Sequence, residues 1–189
     1  MVWAILNPEQ SAALKELVRG QNSDRIVGVV GGAMLDDSLR RALEQRLRKS
    51  DDMNDKIFKV GGPLGNLVPK VDIAYQLYMF DKPVRNTLYG LAEIRNLLAH
   101  QMDMQFSSKA KKMKDALGKL TLHEGRIYYP AALWDGDTKY KLETTHQSRD
   151  LFIVNLKIAL IALMADSHKH EIYSNVPVRF TIGEPTDAA

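Results

Sequence analysis

The chain has 189 residues, 45% of them apolar and 26% charged, with a formal net charge of +3. This is the composition of an ordinary globular protein with enough apolar residues for a sizeable core. It contains no cysteine, which excludes disulfide frameworks, thiolate zinc sites and cysteine nucleophiles together and is compatible with a reducing cytoplasm.

The N-terminal Met-Val-Trp-Ala-Ile-Leu-Asn-Pro-Glu lacks a basic region, and its apolar run breaks at Asn7, so no export signal is expected. Asn7 followed by Pro8 is a helix start, a capping side chain before proline in the first turn, which predicts a helix over 8–19 with Gly20 beyond it. Ser23-Asp24 opens the next. From there Ile26, Val27, Val30, Met34, Leu35, Leu39, Leu43 and Leu47 step by three or four residues, predicting a long amphipathic helix to about Lys49. Gly28, Gly31 and Gly32 fall inside it, each costing up to about 1 kcal/mol relative to alanine. Close approach of another backbone is their expected use, because a phosphate loop would need a lysine and a strand before the helix.

Residues 50–66 read as a polar and then glycine-rich connection, and a third helix is expected over Val68–Phe80. Asp81 or Lys82 with Pro83 starts a fourth, carried by Leu88, Leu91, Ile94 and Leu98 to about Gln101. Residues Ser107–Leu120 form a lysine-rich helix in which Lys109, Lys111, Lys112, Lys114 and Lys119 face Asp115 alone. It reads either as a solvated face or as a surface for an anionic partner.

Residues 121–145 are too long for a plain bundle connection. Ile127-Tyr128-Tyr129 and Tyr140-Lys141-Leu142 are strand-like around Asp135-Gly136, which predicts a small inserted β-hairpin. Its Arg126, Tyr128, Tyr129, Trp134, Lys139, Tyr140 and Lys141 either hold the hairpin together or present the cations and aromatics of a single-stranded nucleic-acid surface. A last helix is expected over Gln147–Ala165, with residues 171–189 as a tail. Its apolar stretch, Leu151–Ala165, is interrupted by Asn155 and Lys157 and falls short of the roughly 20 residues that span a bilayer. The expected architecture is thus one all-α, multi-helix bundle domain over 1–189 with a hairpin insertion, located in the cytoplasm and without a membrane segment.

The most informative stretch is Leu91-Ala-Glu-Ile-Arg-Asn-Leu-Leu-Ala-His100, where Arg95, Asn96 and His100 interrupt an apolar helical pattern. Asn96 and His100 are four apart and share a stripe, while Arg95 lies about 100° round and reaches back with its long side chain. One turn of helix offers a permanent cation, an amide and a group that titrates near neutrality. The same residues admit a structural role: Arg95 bridged to a carboxylate, Asn96 bonded to a neighbouring turn, His100 capping the helix C-terminus. Asp36-Asp37 is the expected partner, one carboxylate facing Arg95. No His or carboxylate cluster has metal-ligand spacing, His168 and His170 being two apart, so neither metal nor cofactor is expected.

Two blocks resemble the mannitol operon repressor family, whose members look related to the HEPN superfamily of helical nucleic-acid-associated domains. One is Ser23-Asp-Arg-Ile-Val-Gly-Val-Val-Gly-Gly-Ala-Met-Leu-Asp-Asp-Ser-Leu-Arg40. The other runs from Pro63-Leu-Gly65 through Lys70-Val-Asp-Ile-Ala-Tyr-Gln-Leu77 to Ile94-Arg-Asn-Leu-Leu-Ala-His100. The resemblance implies a helical homodimer that controls transcription without a recognisable helix-turn-helix. The residues agree on the last point: the helix after the Phe80–Val84 turn spends its apolar positions on packing, so direct sequence-specific DNA readout is not expected. A regulatory protein partner or RNA is the expected contact, and the first expectation is a non-enzymatic regulator.

Similarity to HEPN ribonucleases implies the alternative, a metal-independent endoribonuclease. In them an arginine, a polar residue and a histidine five positions after the arginine form the active site, a pattern that Arg95, Asn96 and His100 match. Carried over, Arg95 would stabilise the scissile phosphate, His100 would act as general acid or base, and Asn96 would orient either.

Overall fold

The computed structural model describes residues 8–19, 22–47, 51–122 and 148–172. Seven helices follow in order: α1 (Pro8–Arg19), α2 (Asp24–Arg46), α3 (Asp51–Phe58), α4 (Leu67–Gln76), α5 (Lys82–His100), α6 (Lys111–Leu117) and α7 (Ser148–Ile172). No strand is present among the described residues, so the regular structure there is all helical. The expected hairpin, with Arg126, Tyr128, Trp134 and the other residues named in it, lies outside the described residues from His123 onward.

Central helix α2 packs against α7, α5 and α4, and its start is local chemistry. The Ser23 hydroxyl accepts a hydrogen bond from the Ile26 amide at 3.4 Å, and Asp24 adds a negative charge to the first turn. Val27, Leu35, Leu39 and Leu43 are fully buried. The three glycines bring its neighbours close. A Cβ on Gly28 would stand 2.4 Å from Cδ1 of Leu98 on α5, and one on Gly31 would stand 2.7 Å from Cδ2 of Leu156 on α7. At Gly32 it would lie 2.3 Å from Cγ and 2.9 Å from Cβ of Arg95. The missing side chains are therefore the contact surface, as the sequence led us to expect.

Helix α5 starts where Asp81 accepts a bond from the Val84 amide at 3.2 Å, with Pro83 in the first turn. Leu88, Leu91, Ile94 and Leu98 form its buried face. Polar side chains tie the remaining ends together. The Arg149 guanidinium donates to the carbonyls of Asn22 at 2.9 Å and Leu17 at 3.4 Å. Asn155, fully buried in α7, accepts from the Leu122 amide and donates to the Leu151 carbonyl, both at 2.9 Å.

Four boundaries differ from the sequence reading. Helix α3 occupies a stretch expected to be a connection, because a short helix needs few apolar residues; Phe58, buried in the core, lies 5.3 Å under the Arg40 guanidinium. Helix α4 stops at Gln76 rather than Phe80. Tyr78 takes a left-handed φ of 57°, its amide bonds the Tyr75 carbonyl at 3.0 Å and the Met79 amide bonds that of Ala74 at 3.1 Å, the closing pattern of a Schellman turn. Only Lys111–Leu117 of the lysine-rich segment is α-helical. Helix α7 runs on to Ile172, past Ala165 and into the expected tail, because backbone hydrogen bonding outlasts the apolar face that made the helix legible.

One ion pair is buried on one side. Lys70, 2% exposed, donates from Nζ to both oxygens of Asp36 at 2.7 Å, joining α4 to α2. Removing the carboxylate strands a desolvated ammonium, whereas removing both charges does not.

Two stability predictions follow from these contacts. Gly32→Val lowers stability by about 1–3 kcal/mol in urea denaturation, because the new side chain meets the Arg95 stem near its backbone; an unchanged or raised midpoint contradicts the close-approach account. Asp36→Ala costs about 1–3 kcal/mol with Lys70 present and measurably less in a Lys70→Met background; equal losses in both backgrounds contradict the pairing.

Candidate functional site

The apolar face of α5 fixes where its polar residues emerge. With Leu91, Ile94 and Leu98 in the core, Glu93, Asn96 and His100 fall on the opposite side, and all three are exposed. Arg95 is half-buried. Its stem rests on the bare backbone at Gly32, and its Nη1 donates to Asn96 Oδ1 at 2.9 Å. The guanidinium is therefore held beside the Asn96–His100 stripe by an amide, not by a carboxylate.

The expected pairing of Arg95 with Asp36 or Asp37 is not what the structure shows. Asp36 is engaged by Lys70, and Asp37 pairs with Arg41 one turn along its own helix at 2.9 Å. Both acids lie on α2, but the Gly32 contact brings only the Arg95 stem to that helix. Arg95 has no carboxylate partner among the described residues, and no described residue hydrogen-bonds the His100 ring. The C-terminus of α5 is closed by its own backbone, the Gln101 amide donating to the Leu97 carbonyl at 3.1 Å. Neither structural role expected for these two side chains, an ion pair or a cap, is present among the described residues.

Helix α6 lies against α5, its Ala116 carbonyl 2.8 Å from where a Cβ on Gly90 would stand. Lys119 bridges to Glu93 on the exposed edge of α5. Met113 and Ala116 are buried, which turns Lys111, Lys112 and Lys114 outward, and Lys109 is exposed just before the helix. None of these four lysines has an acidic partner among the described residues, and the first turn of α6 holds no acid. Lys111 and Lys112 stand in the first turn, at the positive end of the helix dipole, where a cation is disfavoured by about 0.3–1 kcal/mol, whereas Lys114 stands in the last turn.

A second polar cluster escaped the sequence reading. The Arg85 guanidinium stacks 4.3 Å over the Tyr75 ring and lies 5.8 Å from that of Tyr89, and the Tyr89 hydroxyl donates to Asp72. That bond, then burial and the Asp72 charge, raise the Tyr89 pKa above its ordinary 10.0, with Arg85 opposing. The contribution of the bond is full below about pH 10, where the unfolded phenol is neutral, and is lost as pH rises through the folded value. The spacings Asp72–Tyr75 and Arg85–Tyr89 each mark a helix face, but only the α4–α5 packing joins them.

Among the described residues, no group of three His, Asp or Glu side chains is placed to hold a metal ion, and no helix is long and apolar enough to cross a membrane. No family model and no curated protein matches the chain. Among solved structures, a chain of the X-ray structure of the MtlR–HPr complex from Escherichia coli matches with a TM-score of 0.58 and 17% identity, over 82% of this chain and 98% of that one. The fold is MtlR-like.

Proposed function

We propose that the chain is a non-enzymatic transcriptional regulator of the mannitol-repressor type that works through protein contacts. The observation that carries this reading is the set of outward lysines on and before α6, without acidic partners among the described residues, two of which, Lys111 and Lys112, stand in the first turn that disfavours them. Placement that opposes local stability is explained by an external anionic surface. Beside it, the α5 edge offers Arg95, Asn96 and His100 as polar anchors, arginine being enriched among binding hot spots. The structural neighbour is a complex with HPr, a protein partner, which supports the same mode of action. Arg126, Tyr128 and Trp134 are proposed as further partner contacts from their cationic and aromatic chemistry.

The second reading, a metal-independent endoribonuclease of HEPN type, is favoured by one observation: Arg95 is bonded to Asn96 beside an exposed His100, with no acid neutralising it among the described residues. The two readings differ in what they require. Cleavage of RNA by attack of the neighbouring 2′-hydroxyl depends on Arg95 and His100 absolutely, whereas a docking edge distributes its energy and leans on the lysines.

Titration of purified HPr from Escherichia coli into the chain by calorimetry tests the first reading. Binding that weakens with salt, and by about tenfold in the Lys111→Glu/Lys112→Glu variant, is expected. The same variant keeps or raises the thermal midpoint, since glutamate suits the first turn of a helix. Absence of binding, or binding indifferent to both salt and the substitutions, overturns this assignment of the surface.

A further inference from the structure

Where α4 packs on the start of α5, the fold leaves one cation without an acceptor. The Arg85 guanidinium lies 4.3 Å over the Tyr75 ring and 5.8 Å from that of Tyr89. No hydrogen bond or ion pair joins it to any described residue. Arg25, Arg40, Arg41, Arg95 and Arg149, by contrast, each reach an acceptor. The acid of this cluster, Asp72, is taken by the Tyr89 hydroxyl, so Arg85 has ring faces around it and no carboxylate. Its Nε is buried without a partner, while its two terminal amino groups are not buried. Shielding a donor that makes no bond opposes stability. What the arrangement secures is a guanidinium whose plane is set by rings from both helices. Lys82 is exposed one turn earlier on the same face of α5 and has no acidic partner among the described residues. Tyr78, 70% exposed, takes its left-handed φ of 57° in the adjoining turn. A tyrosine in a conformation that favours glycine puts an exposed ring one turn from Tyr75, where glycine would put none.

We propose that Arg85 anchors a binding site for a carboxylate group, gripped as a fork by its two terminal amino groups with Lys82 alongside. This goes beyond the regulatory reading and does not depend on it. Three features select a carboxylate. The charges of Lys82 and Arg85, less that of Asp72, leave a single positive charge, which a monoanion neutralises and a phosphate dianion exceeds. The rings cover faces of the guanidinium, so its open donors point outward in its own plane, where a planar carboxylate accepts two parallel bonds. Tyr78 adds an aromatic face for a flat apolar body attached to that carboxylate. A free small acid and the C-terminus of a peptide both carry this group.

NMR titrations with sodium benzoate, with benzamide, and with an alanine tetrapeptide bearing a free C-terminus test the site. The shifts are read at the Arg85 Nε–H in the wild type and at the Tyr78 and Asn86 backbone amides in every variant. A saturable shift with a Kd of about 1 mM or below is expected for a carboxylate, and none for benzamide. Saturation by benzoate alone identifies a free small acid as the ligand class, and saturation by the tetrapeptide alone a chain terminus. Arg85→Lys keeps the charge but loses the fork, and weakens binding about tenfold or more. Tyr78→Ala, at an exposed side chain, weakens benzoate while circular dichroism stays unchanged. Lys111→Glu/Lys112→Glu leaves binding as it was. Absence of a saturable shift with both carboxylates overturns the proposal. So does an equal shift with benzamide, an affinity unchanged in Arg85→Lys, or a response that Lys111→Glu/Lys112→Glu removes.

Discussion

The close approach of α2 to α5 and α7 is the constraint on which the rest of the molecule depends. Three glycines within two turns remove the side chains that would hold the helices apart, and Leu98, Leu156 and Arg95 settle into the space. Each glycine sacrifices helix propensity, about 1 kcal/mol relative to alanine. Tighter packing of a core that includes Val27, Leu35, Leu39, Ile94, Leu98 and Phe152 offsets that loss. The same contact has a functional consequence. Because the Arg95 stem lies flat on the Gly32 backbone, its charged end emerges beside Asn96 and His100 rather than turning into an acidic partner on α2.

Charged groups are used in two distinct ways. Lys70 with Asp36, Arg25 with the Gln101 carbonyl, and Arg149 with the Asn22 and Leu17 carbonyls are satisfied across elements and tie segments distant in sequence to the bundle. Lys109, Lys111, Lys112 and Lys114 are not spent in this way among the described residues, and neither is the guanidinium of Arg95 beyond its amide contact. Stability explains the first group. The second group is the one proposed for recognition.

Much of this arrangement is legible in local sequence. Ser23 and Asp81 cap the helices they were expected to start, the apolar step of three and four marks the buried faces of α2 and α5, and glycines inside a helix point to a close neighbour. The exposed stripe of Asn96 and His100 follows from the same periodicity. What local pattern cannot convey is choice of partner. Asp36 has two cations to choose from, and only the docking of α4 decides for Lys70 over Arg95; the Arg85, Tyr75, Tyr89 and Asp72 cluster is divided between two helices in the same way. Helix α3 and the end of α4 were missed for another reason: a short helix has little periodicity, and a left-handed tyrosine gives none of the signal that glycine does.

Recognition, and not RNA cleavage, is the role proposed for the edge formed by Arg95, Asn96 and His100. The most direct measurement is incubation of a mixed RNA pool with the purified chain in EDTA, beside Arg95→Ala and His100→Ala variants shown by circular dichroism to be folded. RNA left intact by the wild type is the predicted result. Cleavage by the wild type that both substitutions abolish would contradict the account and make these residues a catalytic centre.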